Sequence, residues 1–117
     1  MSKFTLENYL LEVINNEEMP KNIKFKFVEV LVEQGADVNE KDRYDNTTAL
    51  MWATEGGQKE VAELLIKSGA DVNAKDLEGK TAMMLADNDE MRKVIMEAVK
   101  ERNKKTTENV IIKGMER

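Results

Sequence analysis

The segment FVEVLVEQGADVN at Phe27 to Asn39 returns, offset by 34 positions, as VAELLIKSGADVN at Val61 to Asn73. A fixed offset of this size restricts the fold more than any other feature of the chain. It requires one supersecondary unit used repeatedly, each copy burying its apolar side against its neighbours. Phe27, Val28, Val30, Leu31 and Val32 map onto Val61, Ala62, Leu64, Leu65 and Ile66. That spacing predicts one buried helical stripe, used twice. A third copy follows at an offset of 30, with Met91, Val94, Ile95 and Met96 in the places of Val61, Leu64, Leu65 and Ile66, and with Arg92 in place of Ala62.

A second pattern lies upstream of these helices. TALMWA at Thr48 to Ala53 and TAMMLA at Thr81 to Ala86 are offset by 33. Each predicts a short helix with a threonine available as its N-cap. Turn residues precede both, Tyr44-Asp45-Asn46 and Leu77-Glu78-Gly79, in which Asn and Gly accept the left-handed backbone of a tight loop. One unit is therefore loop, short helix, turn, longer helix, then Gly-Ala-Asp.

The closing GADVN is read as a joint. Gly35 and Gly69 supply the left-handed residue that ends a helix, and Asp and Asn satisfy backbone donors in the turn that follows.

These motifs resemble those of the ankyrin-repeat family. DLEGKTAMMLA from Asp76 follows that family's Asp, Gly, Thr-Pro-Leu-His, Ala pattern with Ala82 for the proline and Met84 for the histidine. TALMWATEGGQKEVAELLIKSGADVN from Thr48 fits almost throughout, and the resemblance runs from about Leu6 to Val99. It implies an all-α solenoid of about three helix pairs with finger loops. The expected organisation is a repeat domain over 1–106 and a tail over 107–117. Within the domain an N-terminal capping unit spans 1–39, a middle unit 40–73 and a C-terminal capping unit 74–106. The first unit has a helix near Leu6 to Ile14, the loop NNEEM and Pro20 at a first helical position. The first finger, EKDRYDN, is one residue longer than the second, and the third unit's second helix meets no glycine and should continue toward Asn103.

Composition narrows the chemistry. The 117 residues include no cysteine and no histidine, which excludes thiolate nucleophiles, imidazole bases and ordinary zinc sites. DVNEKDRYDN superficially resembles a calcium loop, yet Lys41 takes the fifth place and Thr48 the twelfth, where a bidentate Glu is needed. Asp87, Asp89 and Glu90 read as an acidic helix start, and Gly56-Gly57 as an inter-helix turn with no phosphate-binding context. No catalytic residue, metal or cofactor is expected.

Eighteen basic against 23 acidic residues give −5. Six basic and three acidic residues lie in 100–117, leaving twelve against twenty, or −8, for 1–99. Such a body repels nucleic acid and anionic membrane. No apolar run approaches a membrane span, the N-terminus lacks a signal-peptide pattern, and a cytoplasmic location is the default expectation.

The resemblance implies non-covalent binding of a partner protein through the concave face and the finger loops, in a scaffolding or inhibitory role. The residues it assigns to contact are Arg43 and Tyr44 on the first finger, Leu77, Glu78 and Lys80 on the second, and Trp52, Glu55, Leu85 and Asn88 on the inner side. Trp52 serves equally well to fill the groove between first helices. The acidic body favours a basic partner surface, and a monomer is expected. The alternative is a self-associating structural protein that uses Val110, Ile111 and Ile112 in the tail.

Overall fold

The computed structural model describes residues 5–101. Six helices follow one another: α1 (Leu6–Ile14), α2 (Lys21–Glu33), α3 (Ala49–Glu55), α4 (Lys59–Lys67), α5 (Ala82–Leu85) and α6, helical over 89–101 up to the limit of the described residues. They form three antiparallel pairs. The first helices α1, α3 and α5 pack side by side, and α2 packs on α4 behind them. Among the described residues there is no strand, only an antiparallel bridge between Lys41 and Thr48 at the base of the first finger.

The helix starts follow from the threonines. Thr5 Oγ1 accepts from Asn8 N at 3.1 Å and Thr48 Oγ1 from Met51 N at 3.3 Å, each satisfying a donor that the helix leaves open. Thr81 holds the same extended backbone before α5 without a side-chain bond. Pro20 stands one residue earlier than its sequence reading, as the N-cap of α2. Its fixed φ suits that junction as well as the first turn.

The two GADVN segments are joints, as their composition predicts. Gly35 and Gly69 both have φ +100. In the first, Gly35 N donates to Val32 O at 3.0 Å and Ala36 N to Leu31 O at 3.0 Å; Gly69 to Ile66 and Ala70 to Leu65 repeat the pair at 3.1 and 2.9 Å. This is the Schellman arrangement, which occupies carbonyls left open at a helix end. Asn39 then ties one joint to the next: its Nδ2 donates to Gly69 O at 3.1 Å and its Oδ1 accepts from Asp71 N at 2.7 Å. A repeat in sequence thus becomes a ladder in space.

The fingers are set by local turns. Asn46 has φ 60 and Gly79 φ 79, the left-handed positions that the turn residues predict. Asp76 Oδ1 accepts from Glu78 N and Lys80 N, both at 2.9 Å, and Leu77 N donates to Asp45 O at 2.9 Å, fastening the second finger to the first.

The core runs through all three pairs. Val28, Ala53, Ala62, Leu65 and Ile95 are fully buried, with Leu10, Ile14, Leu50, Met51 and Met91 at 1% exposure. Each large side chain buried this way contributes about 1.5–3 kcal/mol before entropy. Thr54 is also fully buried, and its hydroxyl donates to Leu50 O at 2.7 Å.

One expectation needs correction. The stripe of α2 is not wholly buried, since Phe27 is 50% and Val30 49% exposed, although Val61, the equivalent of Phe27, is only 4% exposed. Val61 lines the same hollow as Lys24 and Phe25 of the preceding pair. Among the described residues Phe27 has no preceding pair to meet. The same end effect appears at the other terminus, where Met84 is 67% exposed and its equivalent Met51 only 1%.

Candidate protein-binding face

Three first helices begin in the same register. Tyr9 N donates to Thr5 O at 3.2 Å, Trp52 N to Thr48 O at 3.2 Å and Leu85 N to Thr81 O at 3.2 Å. Tyr9, Trp52 and Leu85 therefore occupy one equivalent position on successive neighbouring helices. Tyr9 is 44% exposed, while Trp52 and Leu85 are half-buried. Trp52 does both jobs that the sequence allows it: part of its ring packs on the core, and part remains open. Tyr9 is missing from the sequence reading. The signal for it was Thr5 four residues earlier, as Thr48 precedes Trp52 and Thr81 precedes Leu85.

The finger residues stand clear of the body. Tyr44 is 83% and Leu77 67% exposed, and Arg43, Glu78 and Lys80 are exposed as well. Tyr44 N donates to Asp42 Oδ1 at 2.7 Å, so the backbone beneath the ring is held. Glu78 and Lys80 partly neutralise each other through an exposed contact of 3.4 Å. Asn88 has structural work: its Oδ1 accepts from Met91 N at 2.8 Å and caps α6.

Glu55 lies on the last turn of α3, one turn beyond Trp52. Both line a hollow of about 710 Å3 between the α1–α2 loop and the α3–α4 turn. The finger tips do not reach this hollow. At its base Ile14 O, the final carbonyl of α1, accepts from Lys24 Nζ at 3.1 Å and from Gln58 Nε2 at 2.9 Å. Lys24 is 6% exposed, and its ammonium sits against the negative end of a helix dipole. Lys24, Gln58 and Asn88 are equivalent positions, separated by the same offsets of 34 and 30 as the repeats.

A second groove, about 1090 Å3, runs between α4 and α6 on the other side. Lys59 Nζ and Glu90 Oε1 meet at 2.9 Å in its wall. The hydrogen bond from Lys59, and then its charge, hold the Glu90 carboxyl below the usual carboxylate range; Glu90 in the same two ways raises Lys59.

Among the described residues no three acidic side chains stand close enough to hold a metal ion, and no helix is long and apolar enough to cross a membrane. Val110, Ile111 and Ile112 lie outside the described residues.

Comparison with known proteins agrees with this architecture. Residues 20–108 match the family model described as ankyrin repeats (3 copies), a span that leaves α1 outside. No curated protein matches the chain. Among solved structures, the chain is similar to the crystal structure of the ankyrin repeat domain of Bcl-3, a member of the IkappaB protein family. Identity is 25% and the TM-score 0.65, over 74% of this chain and 35% of that one. Ankyrin repeats are in general protein-protein interaction modules and not enzymes. With the family model covering most of its length and the joints, fingers and stacked helix pairs in place, this chain belongs to the ankyrin-repeat family.

Proposed function

We propose that this chain binds a partner protein, without catalysis, through the face formed by Tyr9, Trp52 and Leu85 and through the finger tips at Arg43, Tyr44, Leu77, Glu78 and Lys80. The observation that carries the reading is the exposure of Tyr44 and Leu77 on fingers fastened to each other by the Leu77 N to Asp45 O bond. Large apolar side chains held open on a fixed backbone lose little entropy when they are covered. Tyr and Trp are also the residue types that most often dominate interface energy.

The favoured partner surface is basic. Residues 1–99 carry −8, and Glu55 stands exposed beside Trp52. Association should therefore slow as salt rises. A cytoplasmic monomer acting as a scaffold or as an inhibitor fits this chemistry. The test replaces Trp52 and Tyr44 by alanine, verifies folding by circular dichroism, and compares partner capture by the two immobilised proteins. Loss of capture by a folded double variant is expected, and undiminished capture overturns the reading.

A further inference from the structure

The hollow between the first two helix pairs has an unusual wall. Trp52 and Phe25, both half-buried, supply its aromatic part. Glu17, Glu55 and Glu60 stand around it, all exposed, and none forms an ion pair among the described residues. Two lysines share the lining, and neither is ion-paired with these carboxylates among the described residues. Lys24 gives its Nζ to Ile14 O at 3.1 Å, and Lys21 is exposed and forms no ion pair among the described residues.

An aromatic face beside unpaired carboxylates attracts a cation twice over, through the ring quadrupole and through acceptors for its N–H groups. A guanidinium suits the pair better than an ammonium. It is planar, so it can stack on an indole while its edge donates to a carboxylate, and it is more weakly hydrated. We infer that the hollow receives an arginine side chain of the partner protein, with Trp52 as the stacking surface and Glu55, Glu17 and Glu60 as acceptors. This names the chemistry of the partner for the face proposed above and rests on that proposal.

Trp52 is the one tryptophan of the chain, so its fluorescence reports on the hollow directly. The full chain is titrated with a blocked Gly-Gly-Arg-Gly-Gly peptide, with its lysine counterpart, and with its citrulline counterpart, which keeps the shape and removes the charge. A saturable change in Trp52 emission is expected for arginine, with affinity at least fivefold weaker for citrulline and intermediate for lysine. The Glu17→Gln, Glu55→Gln, Glu60→Gln triple variant, with an unchanged circular dichroism melt, should bind the arginine peptide no better than citrulline. Glu55→Gln alone should weaken it at least twofold. Equal responses to arginine and citrulline, no response at all, or arginine binding that survives the triple substitution would overturn the inference. If the peptides fail while the Trp52 and Tyr44 double variant still loses its partner, only the arginine assignment falls; if that variant keeps its partner, the binding face itself falls.

Discussion

The Ile14 carbonyl offers a quantitative test of how the first two pairs are joined. It closes α1, belongs to a residue only 1% exposed, and accepts from Lys24 Nζ and Gln58 Nε2 at 3.1 and 2.9 Å. Lys24→Met keeps the apolar stem and removes the ammonium. The lost bond to a charged donor is worth about 1.5–3 kcal/mol, but the penalty of burying that charge is removed as well. The carbonyl also keeps Gln58, so the net cost should stay within about 1 kcal/mol. Gln58→Ala loses one neutral bond, about 1 kcal/mol, and removes an Oε1 that is buried without a hydrogen-bond partner, which offsets part of the loss. In the double variant the carbonyl loses both donors, and an orphaned buried acceptor costs about 1–3 kcal/mol. The double variant should therefore be destabilised by about 1–2 kcal/mol more than the two single variants together. Urea unfolding followed by circular dichroism at 222 nm, with linear extrapolation, measures all four proteins. Additivity within about 0.5 kcal/mol would refute the shared-acceptor argument.

Asn39→Ala removes both bonds that link the successive joints, and a loss of about 1–2 kcal/mol in the same urea assay is expected. Gly69→Ala meets no atom within 4 Å of its new Cβ, so its whole cost is the φ of +100; thermal melts should show about 1–2 kcal/mol of destabilisation with helical content unchanged. Because Glu90 is held below its ordinary value in the folded chain, the stability it adds is present above the unfolded carboxylate pKa and is lost as pH falls through the folded one. Glu90→Gln should reduce the decline in stability across that acid range, and added salt should reduce the difference between variant and parent, both read from melts at stepped pH.

What the sequence made legible was whatever depends on near neighbours. The left-handed glycines at 35 and 69, Asn46 and Gly79 in the fingers, and the Thr48 cap all follow from interactions spanning a few residues. What it hid depends on what stands next door. Phe27 and Val61 occupy the same repeat position, and only the presence of a preceding pair decides which is covered. Lys24 reads as a solvated lysine until the end of α1 is placed over it. Tyr9 escaped because a longer α1, a longer loop and an earlier start of α2 together shift α1 to an offset of 43 from α3, away from the 34 that aligns α2 with α4. Asn88 read as a contact residue because its capping bond forms only once α6 starts where it does.

The substitution of Arg92 for Ala62 bears on how far such a stack can grow. Ala62 is completely covered, so the alanine there leaves room for close packing, whereas Arg92 is half open and bound to Asp89 at 3.2 Å. A further pair of helices laid on α6 in the same geometry would have to strip water from a guanidinium and find space for it. Stacking a further pair in this geometry is thus opposed by the chemistry of one position, and a module grafted there would gain from an alanine in place of Arg92.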